Sequence, residues 1–234
     1  FNDKLVASGA MNPEELTYEN KRFVTYKCTD LMTAPEHQRK GLSKKVNKLL
    51  SEQTKKTNPP FFYTLCSNIS TKSFLKNDWV FLEQITNFFK PYLLLRISNV
   101  LSKKRFENIC FYDNVSAHID KYHYNINPAK FLIHKTVKYI KWRTSNPNYN
   151  YKIACSYDVQ GKINGYLIYS ISKNNLINII DVEAINEDLK IIKKLINSIE
   201  LLVVNKKYKG ICTIAVKGTA FYSFINNILK IFNR

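Results

Sequence analysis

One stretch constrains this chain more than any other, the run from Phe23 to Leu50. An apolar and β-branched segment ending at Thr33 gives way to a Pro35-Glu36 turn and then to Gln38-Arg39-Lys40-Gly41-Leu42-Ser43. Beyond it Leu42, Val46, Leu49 and Leu50 recur at helical spacing, so the segment reads as strand, tight polar loop and helix. The first N–H groups of a helix have no intrahelical partner and lie at the positive end of its dipole, which suits such a loop to a phosphate-bearing ligand. Gly41 lets the backbone come close, and Lys40, Lys44 and Lys45 add positive charge on the same turn. The nucleoside-triphosphate loop and the dinucleotide fingerprint both require glycine spacings that do not occur here.

The stretch resembles motif A of the Gcn5-related N-acetyltransferases (GNATs), whose pyrophosphate loop reads Gln/Arg-x-x-Gly-x-Gly/Ala. Gln38, Gly41 and Ser43 stand in those places. The preceding Asp30-Leu31-Met32-Thr33-Ala34-Pro35-Glu36 resembles the Asp-Thr-Met-Thr-His-Pro-Glu lead-in of a bacterial subgroup carrying two tandem copies of the fold. Val137-Lys138-Tyr139-Ile140-Lys141-Trp142-Arg143, followed by Asn146-Pro147, is similar to the opening of the second copy in that subgroup. No Gln/Arg-x-x-Gly occurs between Val182 and Leu189, so only the first half carries the loop. The resemblance implies an α/β architecture of mixed α+β sheets in two GNAT-like units, the second degenerate. Residues 1–98 would form the first unit without its opening strand and helices, 99–130 a connector, and 131–234 the second unit.

Local patterns divide the chain further. Lys4–Ala10 reads as a strand, Asn12–Glu15 as a turn, and a second strand starts at Arg22. Phe61–Cys66 reads as a short buried strand, Asn68–Ser70 as a turn, Ser73–Lys76 as a short helix, and Phe88–Ser98 as a strand closing the first unit. In the second half Tyr151–Tyr157 and Gly165–Ser170 form a hairpin about Gln160-Gly161-Lys162, with a further strand over Ile177–Val182. Asn186 is the expected cap of a helix striped by Leu189, Ile192, Ile196 and Ile199, and Gly210–Val216 is a last strand before a helix at Tyr222–Ile225.

By resemblance the chain uses acetyl-coenzyme A as acyl donor, and an amine or hydroxyl of a small-molecule or sugar acceptor attacks the thioester directly. The resemblance assigns the coenzyme to Gln38, Arg39, Lys40, Gly41, Leu42 and Ser43 together with the strand end Leu31, Met32 and Thr33. A main-chain N–H near Leu31 or Met32 would serve the oxyanion, and Asn68 would contact the pantetheine or the acceptor. Asp30 is the candidate base, with a carboxylate satisfied by turn amides or a lysine as the purely structural reading. GNAT enzymes commonly protonate the leaving thiolate from a Tyr in a Tyr-x-x-x-Gly-Phe-like context. Here Phe74 takes the place of that Tyr and Asp78 that of the Gly, which leaves Tyr63, Ser73 or water. A thiol of pKa about 8.5 can depart without a strong acid. Glu36 and His37 read as dipole complement and surface turn, and Trp79 and Trp142 as packing.

The net charge of +18 invites a nucleic-acid reading. Only six of the 36 basic residues are Arg, however, and the lysines are dispersed, which argues for a solvated surface instead. At 45% hydrophobic and 13% aromatic the chain is expected to fold, and no apolar run approaches the roughly 20 residues of a membrane span. Five scattered cysteines suggest reduced thiols and a cytoplasmic protein, and His118, His123 and His134 show no metal-ligand spacing. The readings from other classes are a non-catalytic coenzyme-binding or interaction module and a basic nucleic-acid binder.

Overall fold

The computed structural model describes residues 4–102, 108–120, 122, 132–133, 135–217 and 219–229. In chain order its elements begin with β1 (Ala7–Tyr18), β2 (Lys21–Thr33), α1 (Leu42–Lys55), β3 (Phe62–Thr64) and α2 (Asn68–Leu75). There follow β4 (Ile85–Pro91), α3 (Tyr92–Ser102), β5 (Ile109–Tyr112), α4 (Val115–Ile119), β6 (Leu132–Ile133) and α5 (Val137–Thr144). The chain then runs through β7 (Tyr151–Tyr157), β8 (Ile163–Ile171), β9 (Ile177–Ala184), α6 (Leu189–Lys206), β10 (Gly210–Val216) and α7 (Ala220–Leu229). Two mixed sheets result, of order β3-β2-β1-β6 and β4-β10-β9-β8-β7-β5, in agreement with the expected α+β class. They belong to two compact units, Phe1–Leu82 with Ile126–His134, and Glu83–Asn125 with Lys135–Arg234.

The first unit is built on a long hairpin. Its turn is Glu19-Asn20, both at positive φ (49° and 59°), and not Asn12–Glu15 as expected. Pro13 misled because Asn-Pro usually starts a turn. Here it sits inside β1 opposite Tyr26, and among the described residues β6 pairs with β1 at Leu16 and Thr17 and not at Pro13. A strand tolerates proline where it has an open side. Asn68–Ser70 is likewise no separate turn but the first turn of α2, capped by Ser67, whose hydroxyl accepts from Ser70 N. The strand over Phe61–Cys66 shortens to an edge strand that is only half-buried.

The segment expected to close the first unit does something else. β4 pairs antiparallel with β10 from Gly210↔Pro91 to Val216↔Ile85, and Tyr92–Ser102 is helix. Proline at the end of β4 and the run of leucines after it mark the change from period two to period 3.6. The supposed connector also supplies β5 and α4, and β5 pairs with β7. In the second unit α6 presents Ile192, Leu195, Ile196, Ile199 and Val203 to a core shared with Leu167, Ile177, Ile179 and Ile211. The other face of that sheet packs Ile153, Cys155, Tyr166 and Ile168 against Ile119 and Ile140. The cap of α6 is Asp188 rather than Asn186, which lies at φ 52° in the preceding turn, and Trp142 is 70% exposed rather than packed.

Candidate functional site

The site grows from a seam in the first sheet. β2 and β3 run parallel and pair at Tyr26↔Phe62, Lys27↔Tyr63 and Cys28↔Thr64, where the pairing ends. The last pair is fastened by Thr64 Oγ1, which donates to the Cys28 carbonyl at 3.0 Å. β2 then continues to Thr33 against β1 alone, and the space beside it is a cleft of about 760 Å³. Its walls are the end of β2, the Gln38–Ser43 loop with the start of α1, residues 64–66, and Ser70, Lys72, Ser73, Phe74 and Lys76 along and just after α2.

A β-bulge shapes the wall. Ser8 pairs with Met32 but Ala10 with Thr29, so Asp30 and Leu31 together oppose Gly9. Asp30 takes φ 53° to make the bulge, and its Oδ2 accepts from Thr29 Oγ1 at 3.0 Å. Thr29 Oγ1 in turn accepts from Asn12 Nδ2 at 2.7 Å, which holds the bulge to β1. Gly9 is what allows α1 to lie over this point. A Cβ there would stand 2.9 Å from Leu50 Cδ1 and 3.1 Å from both Leu31 Cδ1 and Val46 Cγ1.

The loop is folded so that, beyond Gln38, its amides face no acceptor among the described residues. Gln38 Nε2 donates to the Thr33 carbonyl at 3.4 Å, and the amides of His37 and Gln38 are taken by Ala34 and Pro35 carbonyls. Arg39 and Gly41 are left-handed (φ 62° and 73°) with Lys40 between them, an alternation of the kind that gathers successive N–H groups into an anion-binding nest. The first intrahelical bond of α1 runs from Lys45 N to Gly41 O. Among the described residues the amides of Arg39 through Lys44 meet no acceptor.

The cleft gathers most of the residues picked out from sequence: Asp30, Leu31, Thr33, Gln38, Arg39, Gly41, Leu42, Ser43 and Ser73 all line it. Three do not. Met32 is 62% exposed, Lys40 stands off the cleft wall, and Tyr63 donates its hydroxyl to the Glu14 carboxylate on β1. Strand alternation explains Tyr63, since Thr64 beside it turns toward the seam. Asn68 opens α2, and its side chain lies outside the described residues. Phe74, in place of the usual acid, is buried in the cleft wall edge-on to Trp79, with ring centroids 4.9 Å apart.

Lys72, Lys76, Ser70, Cys28 and Cys66 also line the cleft and escaped the sequence reading. A continuous helix from Asn68 would have shown Lys72 and Lys76 one turn apart on one face. Burial pushes the Cys28 thiol above its usual pKa, with Cys66 and Asp30 adding to the rise. Among the described residues no group of His, Cys, Asp and Glu suits a metal ion, and no helix is long and apolar enough to cross a membrane.

The second unit has a strand–helix passage of the same order but a different helix start. The Asp188 carboxylate accepts from Lys190 N at 2.7 Å, so the N-terminus of α6 is capped from within. On β9 two carboxylates share one cation: Lys135 Nζ lies 2.7 Å from Asp181 Oδ1 and 3.3 Å from Glu183 Oε2. Tyr166 donates to Asp181 at 3.3 Å and to Glu183 at 3.1 Å. Burial raises the Glu183 pKa and Asp181 raises it further, while Lys135 pulls the other way.

No family model and no curated protein matches this sequence. Solved structures do match the fold. A conserved Enterococcus faecalis protein, a probable N-acyltransferase, superposes with TM-score 0.67 at 14% identity, covering 99% of this chain and 56% of its own. A GCN5-related N-acetyltransferase from Kribbella flavida gives 0.60 at 12%, with 95% and 53% covered. Saccharomyces cerevisiae N-myristoyltransferase with bound myristoyl-CoA gives 0.64 at 11%, with 99% and 61% covered. The chain thus spans 53–61% of the length of these structures.

Proposed function

This chain has the GNAT fold, and from that premise we propose that its first unit is an acyltransferase site using acetyl-coenzyme A, with the amine or hydroxyl of a small molecule or sugar as acceptor. One observation carries the reading: the parallel pair β2–β3 parts after Cys28↔Thr64 directly beside a helix start whose amides are free. A diphosphate fits the amides of Arg39 to Lys44. The pantetheine arm then runs into the parted seam, adding to the open edge of β2 by main-chain bonds.

The thioester carbonyl comes to rest at the Asp30–Leu31 bulge, where a re-aimed main-chain N–H serves the developing oxyanion. Asp30 takes the proton of the attacking acceptor. The thiolate leaves to water or Ser73, because Phe74 has no hydroxyl and that of Tyr63 is bound to Glu14. The second unit, with the same strand–helix order and a self-capped helix, is a degenerate copy without a coenzyme site.

The test is release of free thiol from acetyl-coenzyme A in the presence of a panel of amines, aminosugars and sugar alcohols, alongside thermal shift with coenzyme A. The expected result is a melting temperature that rises with coenzyme concentration and thiol release that depends on one acceptor class. A melting temperature unmoved at millimolar coenzyme overturns the reading. The lack of a placed acid favours one alternative, a coenzyme-binding module without catalysis; it predicts the thermal shift with no acceptor-dependent thiol release.

A further inference from the structure

The charges around the cleft are not evenly placed. Arg39 and Lys44 stand on the α1 bank, Lys72 and Lys76 on the α2 bank, and Asp30 is the lone carboxylate in the wall. Among the described residues none of the four cations makes an ion pair, so each keeps its charge for whatever enters. Lys72 and Lys76 are one turn apart at the end of α2, across the parted seam from the nest of amides, and the amides already suffice for one diphosphate. A second pair of cations on the opposite bank therefore calls for a ligand with a second, separate anionic group. Coenzyme A has such a group in its 3′-phosphate, a monoester carrying nearly two negative charges at neutral pH.

Resting on the coenzyme reading above, we infer that Lys72 and Lys76 form the subsite for the 3′-phosphate and make the cleft selective for coenzyme A over its 3′-dephospho form. The diphosphate and pantetheine are common to both compounds, so the comparison isolates the monoester. Two exposed lysines on one phosphate are worth about a tenfold difference in affinity at low salt. The preference should shrink as salt rises, and again below about pH 6 as the monoester takes up a proton.

The experiment is calorimetric titration of the full chain with coenzyme A and with 3′-dephospho-coenzyme A at about 50 mM and 200 mM salt. The parent is compared with Lys72→Gln/Lys76→Gln and with Lys72→Arg/Lys76→Arg, each checked by its melting curve. The parent should prefer coenzyme A about tenfold at low salt. The Gln pair should bind both compounds with the parent's affinity for the dephospho form, and the Arg pair should keep the preference. A parent that binds the two compounds equally, or a Gln pair that still discriminates, overturns the subsite while leaving the coenzyme reading intact. A parent that binds neither compound overturns both.

Discussion

Replacing Gly41 with alanine separates a backbone requirement from a steric one. Gly41 lies at φ 73°, and a Cβ built on it meets no heavy atom within 4 Å. Alanine therefore adds no clash, and its cost to the folded chain is only the left-handed backbone, about 1–2 kcal/mol. For a chain of this size that lowers the melting temperature by roughly 2–8 °C. The effect on ligand should be far larger. A backbone that relaxes toward negative φ turns the Gly41 and Leu42 amides away from the nest, and each bond from an amide to a phosphate contributes about 1.5–3 kcal/mol. Losing two lowers coenzyme A affinity by about 10²- to 10⁴-fold. Gly161 is the internal control: it also has a left-handed backbone (φ 76°) with nothing within 4 Å of its Cβ, but sits in the β7–β8 turn. Gly161→Ala should show the same loss of melting temperature and unchanged coenzyme binding, both read by thermal scan and calorimetric titration. If Gly41→Ala binds coenzyme A within about threefold of the parent, or Gly161→Ala weakens binding equally, the argument from the nest is wrong.

Phe74→Tyr should raise the rate of acceptor-dependent thiol release by at least about tenfold, because it returns a hydroxyl to a ring already in the cleft wall; an unchanged rate means that protonation of the thiolate is not limiting. Glu183→Gln should change how stability follows pH. The folded state raises the pKa of Glu183, so it holds a proton that the unfolded chain has lost. Stability therefore falls as pH climbs from the ordinary carboxylate value toward the raised one, and urea midpoints at pH 5 and 8 should lie closer together in the variant than in the parent. Lys90→Met should cost about 3–5 kcal/mol, because it strands Glu200, whose Oε1 lies 2.7 Å from Lys90 Nζ in the interior. Lys90→Met/Glu200→Leu should recover most of that loss in denaturant melts, and a double variant no more stable than the single one would refute the account.

What could be read from sequence depended on whether one segment held its own evidence. The Phe23–Leu50 stretch did: strand periodicity, a polar loop with glycine, and an apolar stripe stand side by side, and the structure returns β2, the loop and α1 within a residue or two. The β7–β8 hairpin did as well, with Gly161 in the left-handed place its turn needs. Partnership could not be read. The period-two run of β4 looks the same whether it pairs with β3 or with β10, and that choice depends on residues more than a hundred positions away. Pro13 and Trp142 failed for a similar reason. A proline is judged by whether a neighbour strand needs its missing N–H, and a tryptophan by what covers it, and neither is a local property.

The two helix starts differ in what they offer an anion. Both units send a bulged strand into a short turn and then a helix, and in both a glycine on the neighbouring strand lets that helix lie close. Gly9 does so beneath Val46 and Leu50, and Gly165 beneath Ile191, whose Cγ2 would stand 2.6 Å from an added Cβ. The connections differ, residues 34–41 leading into α1 and residues 185–188 into α6, and so does the residue before each helix. Asp188 brings its own carboxylate to the Lys190 amide and occupies the positive end of α6 with a covalently tethered anion. Gly41 has no side chain to offer, and among the described residues the amides of residues 39–44 meet no acceptor. A tethered anion competes with a free one at an effective concentration of the order of millimolar, so α6 should bind coenzyme more weakly than α1 while Asp188 holds the Lys190 amide. Stability favours an Asp cap over a Gly cap by only a few tenths of a kcal/mol, so the start of α1 gives up little by leaving its amides without a side-chain acceptor.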